Sequence, residues 1–309
     1  MDFNACVVLL PDGSYVRATV RGALMGRSKA LGNAVVVGDD VGLEWEQSGD
    51  QARAVIAEVA TRRSAFSRRA SGRDVVEQVV AVNLDQVVVV AAVAQPEFKA
   101  GLVDRLLAQC DYAGLPAMLV MNKQDLADAR EIAAILDAYQ RAGVTGVAVS
   151  AKTGIGVDGL RERLRGQRSL FVGHSGVGKS SLLNALEPSF ELLSGIVNEK
   201  TGKGRHTTTA ATLLRPEPDV EMIDTPGVRG FGLWGIEPES LAEAYAEFRP
   251  LLGHCRFADC AHLAEPGCAL RAAVEAGTVS RRRYDSFLKL RDELVQERGS
   301  ERLRGKGWM

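Results

Sequence analysis

The sequence is poor in cysteine, has no excess of either charge and contains no long apolar run. Five cysteines among 309 residues are too few for a disulfide scaffold. The 38 basic and 39 acidic residues give a formal net charge of -1, so any surface for nucleic acid must be local. No apolar run approaches the roughly 20 residues of a membrane-spanning helix, and the N-terminal residues lack the features of a signal peptide. We therefore expect a cytoplasmic protein with no membrane contact.

Short apolar segments separated by turn residues occupy the first 60 residues. Five of them have strand character, at residues 6–10, 14–20, 34–38, 40–45 and 54–60. This spacing predicts a small antiparallel barrel over residues 1–62. The OB-fold is the commonest five-stranded barrel of this size, and an SH3-like barrel is the alternative. We predict that this barrel binds RNA.

A basic stretch follows. Residues 52–73 contain six arginines and one glutamate and show little periodicity. We interpret residues 63–74 as a basic linker between domains. It is either a solvated tether or a contact with a polyanion, and the preceding barrel favours the second reading.

The pattern changes to alternating strands and helices over residues 75–235. Apolar runs at 86–94, 116–123, 144–150 and 169–173 are typical of parallel strands buried on both faces. Residues at helical spacing lie between them, and the alternation predicts a doubly wound α/β domain. Residues 236–309 have helical patterning, including Leu241, Tyr245 and Phe248 on one face, and we expect a frayed polar tail after residue 297.

A phosphate-binding loop is the strongest motif in the sequence. Residues 173–180 read GHSGVGKS, which matches G-x-x-x-x-G-K-[ST] between a strand and a helix. Glycines let backbone N–H groups converge on phosphate oxygens, Lys179 supplies positive charge and Ser180 offers a hydroxyl to Mg²⁺. Asp224 ends a later apolar strand, where a carboxylate can hold Mg²⁺ through water. The expected contacts with the nucleotide from this loop are Gly173, His174, Ser175, Gly176, Val177, Gly178, Lys179, Ser180 and Ser181.

Two further loops indicate that the base is guanine. Asn122, Lys123 and Asp125 form the pattern N-K-x-D after an apolar strand. The Asp125 carboxylate can accept hydrogen bonds from both N1–H and N2–H₂ of guanine, for which adenine has no equivalent. A second loop, whose backbone amide is expected to meet guanine O6, consists of Ser150, Ala151 and Lys152.

The order of these motifs differs from that of most GTPases. The base-recognition motifs at 122–125 and 150–152 precede the phosphate loop, and the DTPG motif at 224–227 comes last. A circular permutation explains this order, because the termini of a compact domain often lie close together and can be rejoined. The loop after Asp224 then leads directly into the C-terminal segment, to which the nucleotide state could be transmitted.

Three cysteines and one histidine cluster near the C terminus. Cys255, Cys260, His262 and Cys268 offer four nitrogen or sulfur ligands, which suit tetrahedral Zn²⁺ and leave no position open for water. We therefore predict one structural zinc ion per chain. His254 is an alternative ligand, but its use would turn the neighbouring Cys255 away, so we favour His262.

Together these motifs resemble the ribosome small-subunit-dependent GTPase A (RsgA) family. The resemblance rests on GHSGVGKSSLLNAL (173–186), GRHTTT (204–209), DTPGVRGFGLW (224–234) and CRFADCAHLAEPGC (255–268), in the permuted order. It implies an N-terminal OB-fold, a permuted GTPase domain and a C-terminal zinc domain, here residues 236–309. It also implies a factor that docks on the small ribosomal subunit late in assembly and contacts its rRNA. There its hydrolysis of GTP to GDP would be stimulated, and it would help to release other maturation factors. We expect a monomer.

The sequence also bears on the groups that carry out hydrolysis. Val228 follows D-x-x-G, where many small GTPases have a glutamine that orients water, and valine cannot do so. Slow intrinsic hydrolysis that a partner accelerates is therefore expected. The predicted catalytic set is Lys179, Thr208, Asp224 and Gly227, with Ser180 and Thr208 as Mg²⁺ ligands. His206 could orient water or contact RNA. A nucleotide-gated RNA-binding module and a signalling GTPase with a protein partner are the rival functions.

Overall fold

The N-terminal part of the chain forms a four-stranded sheet. The computed structural model describes residues 5–25, 34–48, 51–70, 76–188, 190, 211–225 and 231–305. Neighbouring strands follow the order β1-β2-β4-β3, and only the β2–β4 pair of this sheet is parallel. The single helical turn α1 (Gly22–Met25) follows β2. The strands are β1 (Ala5–Leu9), β2 (Tyr15–Val20), β3 (Val41–Ser48) and β4 (Gln51–Val59).

The fifth strand predicted for a barrel does not form. Residues 34–38 adopt bends and a turn. The Asp39 carboxylate accepts hydrogen bonds from the Val36 backbone N–H and from Arg62 Nε, both at 2.7 Å. A carboxylate that bonds the nearby backbone in this way favours a turn over a strand. Among the described residues the OB-fold is therefore not confirmed, and the observed unit is a four-stranded sheet.

The segment predicted as a basic linker contains a strand. β5 (Ala65–Arg69) pairs antiparallel with β6 (Glu77–Val82). Phe66 in β5 is fully buried and stacks on Phe231, with ring centroids 5.6 Å apart. Burial of a whole aromatic ring holds this part of the chain in place, so residues 65–69 belong to the folded structure and are not an irregular tether.

A six-stranded mixed sheet forms the centre of the molecule. Its order is β11-β12-β10-β7-β8-β9, with five parallel strands and β11 antiparallel at one edge. The edge strand β11 had no clear signal in the sequence. The strands are β7 (Gln86–Ala92), β8 (Ala117–Asn122), β9 (Thr145–Ala148), β10 (Gln167–Gly173), β11 (Thr212–Glu217) and β12 (Val220–Asp224).

Helices cover both faces of this sheet. Side chains of β7 alternate between two cores, with Val87 and Val89 on one face and Val88 and Val90 on the other. This burial on both faces explains the continuous apolar run of β7. The helices are α2 (Ala100–Tyr112) and α3 (Ala129–Arg141) on the first face, and α4 (Val157–Leu164) and α5 (Lys179–Leu186) on the second.

The C-terminal part packs as a helical unit against α2, whose Ala108 belongs to its core. The helical face predicted around Leu241 is instead a short 3₁₀ helix, Leu241–Ala244, followed by turns, although Tyr245 and Phe248 are buried there. The unit also contains the 3₁₀ helix Arg249–Leu251, α6 (Ala269–Glu275) and α7 (Arg281–Gly305). Helix α7 continues through most of the tail that was expected to be frayed. In the described part of the chain no helix has the length and apolarity needed to span a membrane.

Candidate nucleotide site and metal centre

The predicted nucleotide motifs meet at one edge of the central sheet. β10 ends at Gly173, β8 at Asn122 and β12 at Asp224, and β9 ends two residues before Ser150. Together with β7, these strands run parallel to one another. The carboxyl ends of parallel strands lie at the same edge of a sheet, which is where α/β proteins bind ligands. The phosphate loop and the base-recognition loops therefore share one rim.

The phosphate loop turns tightly between β10 and α5. Gly176 and Gly178 both have φ of +86°, a backbone conformation that residues other than glycine rarely adopt. At Gly178 a Cβ atom would also meet the Asn122 side chain at 2.5 Å. Ser175, Ser180 and the neighbouring Ser181 are exposed at the rim. The loop thus presents backbone N–H groups and hydroxyls at the start of a helix, where anions bind favourably.

Lys179 and Asp224 form a buried ion pair beneath this loop. Their exposed fractions are 7% and 6%, and Lys179 Nζ also donates to the carbonyl of Thr225. Burial raises the pKa of Asp224, and the Lys179 ammonium partly opposes this effect. The predicted phosphate-binding cation and the predicted Mg²⁺-binding carboxylate are therefore in direct contact.

Asn122 ties the phosphate loop to both base-recognition loops. Its Nδ2 donates to the carbonyl of Val177 at 3.0 Å, and its Oδ1 accepts from the backbone N–H of Ala151 at 3.1 Å. Next to it, Lys123 Nζ donates to the carbonyl of Gly176 at 2.8 Å. The buried Asn122 amide thus joins elements far apart in the sequence into one structure.

Asp125 stands exposed at the end of the same rim. Ser150 Oγ donates to its Oδ1 at 2.6 Å, and this hydrogen bond is the main reason why the pKa of Asp125 lies below its ordinary value. Lys152 and Lys123 lower the pKa further. The second base-recognition loop thus orients the ionised carboxylate, as an acceptor for guanine N–H groups must be.

The predicted zinc ligands converge in the C-terminal unit. The ligand atoms of Cys255, Cys260, His262 and Cys268 all lie within 4.8 Å of one another. His262 Nδ1 is 3.5 Å from the sulfurs of both Cys255 and Cys268, which are 4.0 Å apart. These separations suit a tetrahedral ion with metal–ligand bonds of about 2.0–2.3 Å. The Cys₃His set could therefore hold one zinc ion, and His254 is not part of it.

The sequence comparisons decide the family. The model of the RsgA GTPase family matches residues 59–234. A small ribosomal subunit biogenesis GTPase RsgA from Gemmatimonas aurantiaca is 43% identical over 290 residues, which cover 93% of each chain. This chain belongs to the RsgA GTPase family. A protein of the same name from Yersinia enterocolitica is 39% identical over 296 residues, 92% of this chain and 81% of that one.

Two solved structures have a similar fold over nearly the whole chain. YjeQ from Thermotoga maritima has a TM-score of 0.71 at 31% identity and covers 94% of this chain and 98% of its own. YloQ, described as a circularly permuted GTPase, has a TM-score of 0.68 at 25% identity, with 95% and 92% covered. The permuted motif order of this chain is consistent with its similarity to a structure that is called circularly permuted.

Part of the predicted site lies outside the described residues. Thr208, Gly227, His206 and Val228 are in this group. Their predicted roles in Mg²⁺ binding and hydrolysis therefore remain predictions. The other predicted residues of the phosphate loop, the two base-recognition loops and the metal cluster are all described, and the structure brings each set together.

Sequence reasoning missed a buried polar network between α2, α3 and α7. Arg283 Nη1 donates to Asp104 Oδ1 at 2.6 Å, and Tyr139 OH donates to the same oxygen at 2.9 Å. Arg283 also forms two hydrogen bonds with the Glu247 carboxylate, at 2.7 and 3.0 Å. Asp104 lies among apolar residues on the buried face of α2, and that position was the only available signal of its role.

Proposed function

We propose that this chain is a Mg²⁺-dependent GTPase that binds the small ribosomal subunit and acts in its late maturation, where hydrolysis of GTP to GDP and phosphate is stimulated. The observation that carries the proposal is the single rim shared by the phosphate loop and the N-K-x-D motif, in a chain whose relatives are named small ribosomal subunit biogenesis GTPases. A rim that links base and phosphate recognition fits a guanine nucleotide.

Different residues would bind the phosphates, the base and the metal ion. The loop at 173–181 would hold the phosphates, and Asp125 would accept hydrogen bonds from guanine. The Lys179 ammonium would pass from Asp224 to the more highly charged phosphate oxygens. Mg²⁺, held by Ser180 and, as the sequence predicts, by Thr208, would neutralise phosphate charge. These assignments use the contacts of the described rim and, for Thr208, the sequence alone.

The flanking units would serve the ribosome. A zinc ion on the Cys₃His set would hold the loops around residues 255–268, which expose Phe257 and Leu263. The N-terminal sheet and the arginines near β5 would contact rRNA, and the protein would act as a cytoplasmic monomer. A phosphate backbone attracts clustered arginines strongly at low salt, so the interaction should weaken as salt rises.

The test is GTP turnover by the full chain with and without purified small ribosomal subunits. We expect slow turnover alone and many-fold faster turnover with subunits, with GTP preferred to ATP. Lys179→Ala should abolish tight GTP binding, and its hydrolysis should fall to background in both conditions. Turnover that subunits leave unchanged would instead favour a nucleotide-gated RNA-binding module. GTP hydrolysis by Lys179→Ala at the parental rate would refute the site.

A further inference from the structure

Residues 95–99, here called the connecting segment, lie between the phosphate loop and the C-terminal unit. The segment follows β7 and leads into α2. On its inner side Lys123 Nζ bridges the carbonyls of Gln95 and Gly176. The last residue of the segment, Lys99, places its Nζ 3.3 Å from Nε2 of His174. Two positions of the phosphate loop are therefore linked to this short segment.

The His174 ring has one nitrogen committed to the loop itself. Its Nδ1 lies 2.7 Å from the carbonyl of Ser175, and a carbonyl can only accept, so Nδ1 carries the proton. In the neutral ring Nε2 then offers a lone pair to the Lys99 ammonium. Lys99 thus contacts one nitrogen of the ring, and the other nitrogen is hydrogen-bonded to the backbone of the phosphate loop.

The outer side of the segment contacts the C-terminal helix. The Arg282 guanidinium in the first turn of α7 lies 4.9 Å from the centre of the Phe98 ring, a cation–π distance. The Phe98 ring also meets the edge of Tyr139, with centroids 6.2 Å apart. Phe98 is adjacent to Lys99, so the residue that α7 contacts is the direct chain neighbour of the lysine that contacts His174.

The first turn of α7 is itself held firmly. Arg283, next to Arg282, is 4% exposed and pairs with the buried Asp104 and with Glu247. Such a buried, hydrogen-bonded pair has one favourable geometry and resists displacement. The position of Arg282 over Phe98 is thus set by the docking of the C-terminal unit on α2.

A small cleft lies behind the phosphate loop. It lies between the loop, the connecting segment and α2, and its lining includes His174 and Val177. Lys99 and His174 both line this cleft, so their contact crosses from the connecting segment to the phosphate loop.

We propose that Lys99 is a positioning residue for the phosphate loop, and that Arg282 of the C-terminal helix acts on nucleotide affinity through Phe98 and Lys99. This inference rests on the proposed function, in which the loop binds the phosphates of a guanine nucleotide. A loop held in place before binding loses less conformational freedom when it closes on phosphate. The C-terminal unit therefore increases affinity for GTP and GDP by a route separate from the loop that follows Asp224.

The experiment measures the Kd of the full chain for fluorescent GTP and GDP analogues at fixed Mg²⁺. Lys99→Met and Arg282→Gln should each weaken binding of both nucleotides about two- to five-fold, the value of one modest polar or cation–π contact. The Kd of the double variant should be no higher than the higher of the two single-variant values, because both changes break the same chain of contacts. In steady-state turnover Lys99→Met should raise KM and leave kcat at the parental value, and Lys99→Arg should restore affinity.

The matched control is Arg281→Gln. Arg281 precedes Arg282 in the same helical turn, is exposed and pairs with Asp285, so the parental Kd is expected. Parental affinity in Lys99→Met or in Arg282→Gln, or a double variant whose loss equals the product of the single losses, would overturn the inference while leaving the proposed function intact. A parental chain that binds neither nucleotide would overturn the proposed function itself.

Discussion

The exchange Asp125→Asn tests base recognition most directly. The Ser150 hydroxyl orients the Asp125 carboxylate and lowers its pKa. The ionised group offers acceptors to the two N–H groups on one edge of guanine. Asparagine keeps the size and one oxygen but replaces the second acceptor with an N–H donor. Guanine N2–H₂ would then face a donor, whereas the carbonyl at the same position of xanthine would face a partner.

The size of the effect follows from the bonds that change. A hydrogen bond to a charged group contributes about 1.5–3 kcal/mol. One such bond is lost, and the charge that strengthens the other is removed. Together the two changes should lower affinity for GDP by roughly 10²–10³-fold. Affinity for xanthosine diphosphate (XDP) should rise by at least tenfold, since the xanthine carbonyl then faces an N–H donor and no longer a carboxylate oxygen.

Isothermal titration of the full chain with GDP, XDP and ADP provides the measurement. The matched control is Asp128→Asn, which removes the same charge three residues away, where the carboxylate caps α3 by accepting from the Arg130 backbone N–H. Asparagine caps helices as well as aspartate, so this control should keep the parental preference for GDP. An Asp125→Asn chain that still selects GDP over XDP would refute the assignment of the base.

Three further perturbations have clear expected results. Arg283→Met leaves the buried Asp104 and the partly buried Glu247 without a counter-charge and should lower the free energy of unfolding of the C-terminal unit by about 3–5 kcal/mol. The exposed pair of Arg281 should contribute less than about 1 kcal/mol, and equal denaturant midpoints for Arg283→Met and Arg281→Gln would contradict this reasoning. Cys260→Ser should lower bound zinc below one ion per chain and lower the melting temperature, and unchanged metal content with an unchanged melting curve would argue against a structural ion. The hydrogen bond from Ser150 lowers the pKa of Asp125 below its ordinary value of 3.8. The contribution of the ionised carboxylate is therefore complete above pH 3.8 and is lost as the pH falls through the lowered pKa of the folded protein. Ser150→Ala should therefore shift the acid loss of GDP binding to higher pH, and a titration identical to that of the parental chain would refute that cause.

The motifs of the site could be predicted because each depends on local chemistry. The two glycines at positive φ in the phosphate loop, the acceptor Asp125 and the spacing of Cys255, Cys260, His262 and Cys268 have requirements that sequence patterns state directly. The strands that carry them were equally clear, because a strand buried on both faces needs an unbroken apolar run, as β7 has.

The errors fall where a distant contact decides the local structure. Residues 34–38 have strand composition, but Asp39 and Arg62 hold them in a turn. The stretch around β5 is arginine-rich and aperiodic, and it is ordered because Phe66 stacks on Phe231, which is 165 positions away by sequence number. The partner that fixes each segment lies elsewhere in the chain, and a window of local sequence does not contain it.

By itself the sequence determined the kind of site: a loop for phosphate, an acceptor for guanine and four ligands for one metal ion. Only the tertiary structure decided how these parts are joined. Asn122 connects three loops, and the pairing of Arg283 with Asp104 sets the C-terminal helix against α2, next to the segment that supports the phosphate loop. The reason is physical: residue chemistry and spacing are local properties, whereas the pairing of buried polar groups depends on which surfaces meet when the chain folds.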